Sequence, residues 1–159
     1  MKILVVGEGC RDLYQYGTCD RIAPEAPAPV FVPTNVIENE GMALNVKNNL
    51  ISLGADVEMV TNSNWADITK TRFVDSKSNH MIVRVDVNDK KFERVDLKNI
   101  DFSKYDCIAI SDYDKGFLTE KDIKYISKQH KLTFLDTKKA LGPWCKDITY
   151  IKINNYKIL

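Results

Sequence analysis

The sequence predicts an α/β domain in which a parallel sheet is flanked by helices and carries an inserted antiparallel β-flap. Short β-branched runs alternate with amphipathic helical patterns, and this alternation is typical of a parallel sheet. One stretch instead alternates between apolar and polar residues with a period of two, which indicates an antiparallel sheet with one solvated face. The 159 residues fit a single ordinary domain.

Five apolar runs predict the strands of the parallel sheet. Their apolar character is continuous rather than alternating, as expected for strands that are covered on both faces. The runs cover residues 2–6, 57–61, 107–111, 132–135 and 149–153.

Two helical patterns lie between these runs. Residues 119–129 begin with Thr119 and Asp122 at the spacing of a capping box. Residues 42–53 form an apolar face, and Gly54 follows as the residue that ends the helix. The residues of that face are Ala43, Val46, Leu50 and Leu53.

Two segments, at about residues 13–38 and 68–95, predict the flap. Residues 24–37 contain four of the five prolines and are expected to be extended, with a short strand at 30–32. Period-two alternation in the second segment predicts antiparallel strands, with a turn at 87–90. We therefore expect residues 1–159 to form one domain with the flap inserted into it.

Composition and spacing exclude several function classes. The net charge of +1 is not gathered into a basic stripe, and no run of 18 apolar residues occurs, so neither nucleic acid nor a membrane is an expected partner. The four cysteines form no CxxC pair, which favours free thiols in a cytoplasmic protein without metal ligands. Gly7 and Gly9 lack the third glycine of a dinucleotide fingerprint, which disfavours NAD binding.

Polar residues follow the predicted strands at their carboxyl ends, where open parallel sheets bind ligands. Carboxylates and amides suit sugar hydroxyls, and lysines suit phosphate. Gly41 at the predicted start of the first helix would let a ligand approach free N–H groups, and Asn45 lies one turn further on. Taken singly, each of these residues could instead serve only to cap a strand or helix. The strand-end residues are Asp12, Asp112, Lys115, Asp136, Lys138, Lys152 and Asn154.

Several strings resemble the ribokinase-type (PfkB) carbohydrate kinases, and among them the heptose-phosphate kinases. LYQYGTCDRIAPEAPAPVF resembles a signature of Tyr-x-x-Gly followed by Arg-Ile-x-Pro-Glu-Ala-Pro, and EGMALNVKNNL resembles the segment that opens the first helix. SDYDKGFLT, LDTKK and IKINNYKI resemble later motifs in the family's order. The resemblance implies a ribokinase-like sheet with a lid, of which this chain carries the N-terminal, sugar-binding half.

The resemblance also implies roles for single residues. Arg72 and Arg84 would lie on the lid, which covers the sugar in this family. Lys152 and Asn154 would belong to the nucleotide-binding region. The residues implied to bind substrate are Asp12, Gly41, Asn45, Arg84, Asp112, Lys115, Asp136 and Lys138.

The implied cofactors are ATP and Mg²⁺, and the implied partners are a sugar phosphate and a second copy bound through the lid or an exposed sheet edge. Met42 replaces the second of the family's two helix-opening glycines and adds bulk there, and Lys157 replaces an acidic residue linked to Mg²⁺. No Gly-x-Gly-Asp string, which supplies the family's catalytic base, occurs, so we assign no catalytic residue and expect no phosphorylation by this chain alone. The alternative is a non-catalytic module that binds a sugar phosphate or a partner protein.

Overall fold

Two β-sheets and two α-helices are present in the computed structural model, which describes residues 1–152. No helix in that range is long and apolar enough to cross a membrane. In chain order the elements are β1 (Lys2–Gly7), β2 (Gly9–Thr18), β3 (Val32–Met42), α1 (Ala43–Ser52), β4 (Asp56–Val60), β5 (Thr69–Asp75), β6 (Met81–Val87), β7 (Cys107–Asp112), α2 (Glu120–Gln129), β8 (Thr133–Thr137) and β9 (Tyr150–Lys152).

The central sheet has the strand order β4-β1-β7-β8-β9, and every neighbouring pair is parallel. This confirms the predicted parallel sheet, since each strand agrees with a predicted apolar run to within two residues. Residue 153, at the end of the last predicted run, lies outside the described residues.

The apolar core covers one face of the central sheet. Leu4, Ile108 and Leu135 point to this face and pack in one cluster with Ile123 and Ile126 of α2. Fully burying an aliphatic side chain of this size contributes about 1.5–3 kcal/mol to the free energy of unfolding. The core therefore fixes the strand ends from which the polar loops project.

Helix α1 packs on the opposite face, where Ala43 lies against Gly7. A Cβ atom at Gly7 would lie 2.9 Å from Ala43 Cβ and only 2.0 Å from the carbonyl oxygen of Ser111, so this close approach requires glycine. The prediction that Leu53 belongs to the apolar face of the helix is wrong. The helix ends at Ser52, and Leu53 is 82% exposed.

The second sheet, which we call the lid sheet, consists of β2, β3, β5 and β6 in the order β3-β2-β5-β6. The pairs β2–β3 and β5–β6 are antiparallel, as predicted for the flap, whereas the central pair β2–β5 is parallel. The sheet is therefore mixed. The predicted turn at 87–90 follows β6 and leads back to the core at Phe92, while the β5–β6 hairpin turns at residues 76–80.

Two predictions about residues 30–41 are wrong. The strand expected at residues 30–32 begins only at Val32 and continues to Met42. Pro33 is tolerated because β3 is an edge strand and the register shifts beside its partner Gly17. Gly41 does not open the first helix but pairs with Cys10 in the β2–β3 ladder, so α1 starts two residues later, at Ala43.

The capping box that starts α2 is confirmed. The Thr119 hydroxyl accepts a hydrogen bond from the Asp122 backbone N–H at 3.3 Å, and the Asp122 carboxylate accepts one from the Thr119 backbone N–H at 2.7 Å. Both contacts satisfy N–H groups that the helix itself leaves without a partner.

We expect Thr119→Ala to lower the free energy of unfolding by about 1 kcal/mol, because it removes the side-chain cap of α2. Thr119→Ser keeps the hydroxyl and should stay close to the wild type. Urea unfolding followed by circular dichroism measures both variants. Equal stability of Thr119→Ala and the wild type would contradict the structural role assigned to the cap.

Candidate functional site

Polar residues of the lid sheet and of the strand-end loops form two neighbouring groups. The first lies between the lid sheet and the loop after β7 and contains Asp12, Arg72 and Lys115. The second lies at the carboxyl ends of β7, β8 and β9 and contains Asp112 and Asp136. Tyr113 lies between them: burial raises the pKa of its hydroxyl, and the charges of Asp136 and Asp12 raise it further.

In the first group, Asp12 of β2 is held by Arg72 of β5. An Arg72 guanidinium nitrogen lies 2.9 Å from Asp12 Oδ1, and the guanidinium also stacks 5.0 Å from the centre of the Tyr14 ring. Both side chains of the ion pair are about one-fifth exposed. The second carboxylate oxygen of Asp12 can therefore accept a hydrogen bond from a ligand in the crevice.

Gly41 lets this carboxylate and the Cys10 thiol pack directly against the backbone of β3. A Cβ atom at Gly41 would lie 2.9 Å from Asp12 Oδ2 and 2.8 Å from Cys10 Sγ. Cys10 is fully buried, and burial, with a further contribution from the charge of Asp12, raises the pKa of its thiol to about 12. The thiol is thus protonated at neutral pH and is a packing group rather than a nucleophile.

Asp89 joins the lid sheet to the loop after β7. Its carboxylate lies 2.5 Å from Lys70 Nζ of β5 and 2.5 Å from Lys115 Nζ of the loop. Burial alone would raise the pKa of Asp89, but the hydrogen bonds from Lys115 and Lys70 outweigh it and lower the pKa. Lys70 is the register partner of Asp12, so this cluster adjoins the Asp12–Arg72 pair.

Glu8 holds the loop after β7 in place through hydrogen bonds to the loop backbone. Its side chain is fully buried directly after β1, and its carboxylate accepts backbone hydrogen bonds from Tyr113 at 2.9 Å and Lys115 at 3.1 Å. Burial raises the pKa of Glu8 and the charge of Asp112 adds to the rise, while the two backbone donors lower it. Its backbone oxygen also accepts the Ala43 N–H at 2.8 Å, which ties the start of α1 to this point.

The second group surrounds a small cavity of about 120 Å³. Lys138 Nζ lies 4.7 Å from the centre of the Tyr113 ring, and Lys152 Nζ lies 2.8 Å from Asp136 Oδ2. Asp112, whose side chain is completely buried, forms the base of the cavity. The cavity is therefore lined by exposed lysines and, at its bottom, by a buried carboxylate.

The carboxylate of Asp112 is largely used within the protein. Lys139 Nζ lies 2.8 and 3.0 Å from its two oxygens, the Asp114 backbone N–H donates to it at 3.2 Å, and the Thr137 hydroxyl donates to it as well. Burial would lower the pKa of Lys139, but its bonds to Asp112 and Asp114 raise it. We infer that this pair holds the loops after β7 and β8 together.

Other predicted site residues lie apart from these two groups. Asn45 is exposed on α1. Arg84 lies on β6 directly opposite Arg72, as expected for a lid residue, but its guanidinium pairs with Asp86 at 2.9 Å. Asn154 lies outside the described residues, so its predicted role stays a prediction.

Met42 occupies a backbone position suited to glycine. It combines φ 58° with ψ −127°, a region that favours glycine, at the junction of β3 and α1. Its side chain is buried and belongs to the apolar core. The Met42 side chain, which was expected to add bulk at the start of the helix, therefore lies in the apolar core instead.

Lys70 and Asp89, which shape the site, were missed in the sequence, whereas Glu8 and Lys139 lie in the polar strings that follow predicted strands but were assigned no role. Glu8 gave a detectable signal, since a charged residue directly after a buried strand requires a partner. The contacts of Lys70 and Asp89 gave none, because they depend on the parallel pairing of β2 with β5 and on the path of the turn after β6.

No protein-family model matches the chain. Among curated proteins, the bifunctional protein HldE of Helicobacter pylori (strain Shi470) is 34% identical over an alignment that covers 86% of this chain and 37% of that protein. The bifunctional protein HldE of a Nitratiruptor species is 32% identical over an alignment that covers 96% of this chain and 40% of that protein. The chain thus spans well under half the length of these relatives.

Solved structures show the same fold at low sequence identity. A carbohydrate kinase from Agrobacterium tumefaciens matches 94% of this chain and 59% of its own, with a TM-score of 0.55 and 13% identity. Phosphofructokinase-2 from Escherichia coli matches 98% of this chain and 60% of its own, with a TM-score of 0.56 and 13% identity. The ribokinase-like fold and the predicted sequence resemblance are confirmed.

Replacing Glu8 by glutamine tests its role in the loop after β7. A glutamine side chain offers one acceptor oxygen, so one of the two backbone donors, at Tyr113 or Lys115, would face an amide N–H₂ group. We expect Glu8→Gln to lower the free energy of unfolding at pH 5 by about 1–3 kcal/mol. Urea unfolding measures it, with Glu25→Gln in the exposed proline-rich segment as the matched control.

The raised pKa of Glu8 adds a pH signature to this comparison. A carboxyl group whose pKa is higher in the folded state stabilises the fold most below its unfolded pKa of about 4.3, and this contribution falls as the pH rises through the folded pKa. Glutamine does not titrate. The stability difference between the wild type and Glu8→Gln should therefore shrink between pH 5 and pH 8, and a constant or growing difference would contradict the burial of an ionisable group here.

Proposed function

We propose that this chain, which has a ribokinase-like kinase fold and is homologous to part of the HldE proteins, binds a sugar phosphate between its lid sheet and the loop after β7. One observation carries the proposal. Asp12 on the lid is the register partner of Lys70, and the ammonium groups of Lys70 and Lys115 converge on Asp89 between the lid sheet and the loop after β7. A ligand with hydroxyl groups at one end and a phosphate at the other matches this charge pattern.

In this proposal the lid supplies the hydroxyl contacts. Asp12 accepts a hydrogen bond from a sugar hydroxyl, and Arg72 orients the carboxylate. Gly41 lets the Asp12 carboxylate pack directly against the backbone of β3. The resemblance of the motif strings to heptose-phosphate kinases favours a heptose 7-phosphate as the ligand.

ATP and Mg²⁺ are the cofactors that the resemblance implies, and the described residues do not fit a metal site. Within residues 1–152, no group of three or more His, Cys, Asp or Glu side chains is placed to hold a metal ion. Both acidic residues of the strand-end cavity are engaged by lysines, Asp112 by Lys139 and Asp136 by Lys152. The proposal therefore assigns this part of the chain acceptor binding and no phosphoryl-transfer step.

A second candidate function, association of two copies through the lid sheet, rests on the outward face of that sheet. This face carries large apolar side chains that are about half exposed, and two of the strands that contribute, β3 and β6, are edge strands. Contiguous exposed apolar surface of this kind marks interaction sites. Its members are Val36, Met81, Val83, Val85 and Val87.

Asp12→Asn should weaken the binding of heptose 7-phosphate at least tenfold. The substitution removes the charged acceptor for a sugar hydroxyl, and hydrogen bonds to charged groups contribute about 1.5–3 kcal/mol. Isothermal titration calorimetry of the whole chain measures the dissociation constant. Asp20→Asn is the matched control, because it removes an exposed ion pair with Lys77 elsewhere on the lid.

Unchanged affinity in Asp12→Asn, or the absence of any heptose 7-phosphate binding by the wild type, would count against the proposed site. Binding of ATP without binding of a sugar phosphate would also count against it. Retained binding in Asp20→Asn shows that a loss in Asp12→Asn is local to the crevice.

Val83→Glu combined with Val85→Glu should convert a dimer into a monomer, because two charges would be buried in the apolar contact. Light scattering coupled to size-exclusion chromatography measures the mass. Ile51→Glu on the exposed side of α1 is the matched control and should leave the wild-type mass unchanged. A monomeric wild type at high concentration would exclude the lid contact.

A further inference from the structure

The Lys70–Asp89–Lys115 cluster consists of one carboxylate clamped by two ammonium groups. Lys70 contacts Oδ1 and Lys115 contacts Oδ2, both at 2.5 Å. The side chains of Lys70 and Asp89 are 12% and 17% exposed, so the contact is largely shielded from water. Lys70 belongs to the lid sheet and Lys115 to the loop after β7, so this one carboxylate bridges the two parts of the molecule.

We propose that Lys70 and Lys115 form a binding site for an external phosphate-type oxyanion, and that Asp89 is a tethered carboxylate that fills this site in the absence of ligand. The inference deepens the proposed function and rests on it for the natural ligand, a sugar phosphate. It assigns Asp89 the role of an internal competitor, which must leave before the phosphate enters.

The geometry of the cluster suits an incoming phosphate. The two ammonium groups converge on a pair of oxygens bound to one atom, and a phosphate presents such oxygen pairs with more negative charge. Space adjoins the cluster on two sides, in cavities of about 410 and 460 Å³ that share Lys90, Lys91 and Lys115 in their linings. Further positive charge is therefore available to a group that carries more charge than a carboxylate.

The position of Asp89 in the chain allows it to leave. It lies in the turn at residues 88–90, beyond Thr69 and Val87, the last register pair between β5 and β6. Asn88 has a φ of 58°, and its side chain holds the turn by a hydrogen bond of 2.9 Å to the backbone oxygen of Asp67. Withdrawal of Asp89 thus breaks no hydrogen bond of the strand ladder, and Lys70 keeps Asp86 at 3.3 Å as a partner.

The exchange has two consequences. A phosphate bound to both lysines would replace the carboxylate bridge between lid and loop, so the position of the lid depends on which anion is present. A competitor that occupies the site about 90–99% of the time raises the apparent dissociation constant of the ligand about 10- to 100-fold. Removing the competitor should therefore tighten phosphate binding, although it deletes two ion pairs.

The test measures binding of inorganic phosphate to the whole chain by isothermal titration calorimetry at low ionic strength. We expect Asp89→Asn to bind phosphate at least fivefold more tightly than the wild type. Adding Lys115→Met to Asp89→Asn should abolish this gain. Asp20→Asn, which removes the exposed pair with Lys77, should match the wild type and controls for the general loss of one negative charge.

Phosphate affinity in Asp89→Asn that is equal to or weaker than the wild type, with cooperative unfolding retained, would overturn the proposal and leave Asp89 as a structural bridge. Should Asp89→Asn fail to fold, Lys115→Met alone decides the question. It must weaken phosphate binding relative to the wild type, and equal affinities would overturn the proposal. Inorganic phosphate has no sugar hydroxyls, so either result is independent of whether heptose 7-phosphate binds at Asp12.

Discussion

The buried carboxylate of Glu8 is the interaction on which the arrangement of the site depends. It receives two backbone donors from the loop after β7, at Tyr113 and Lys115, while its own backbone oxygen receives the first N–H of α1 at Ala43. A buried carboxylate that loses its donors costs several kcal/mol, so the loop cannot move away from the end of β1 without a large penalty. The backbone of Lys115 is consequently fixed, and its side chain extends toward the lid sheet.

The two faces of the lid sheet carry different side chains. The face toward the crevice carries Asp12, Lys70 and Arg72 in adjacent register positions, and its charges are matched across the strands. The outward face carries half-exposed valines on β6, together with Arg11 of β2 and Glu38 of β3, which form an ion pair. Because β-strands alternate between faces, a single sheet presents different side chains on its two sides. The lid meets the loop after β7 through charged contacts, which ligand charge can replace.

The departures from the family pattern have separable effects. Met42 takes up a backbone conformation that favours glycine, but its side chain fills the core. Glu8, directly after the first strand, reaches the backbone of the neighbouring loop.

The sequence by itself determined the parallel sheet, the two helices, the antiparallel strands of the lid and the resemblance to ribokinase-type carbohydrate kinases, because apolar periodicity, a capping box and long motif strings are local signals. It also placed Lys115 and Lys138 in the loops after β7 and β8, where a parallel sheet gathers polar residues, but it was wrong for Asp12, which lies inside β2 of the lid sheet. Only the tertiary structure decided which of these residues meet. The parallel pairing of β2 with β5 puts Lys70 beside Asp12, the turn after β6 brings Asp89 between two lysines, and Lys139 rather than Lys138 binds Asp112. These contacts join residues distant in the chain, and their energies depend on burial, which no local pattern of residues encodes.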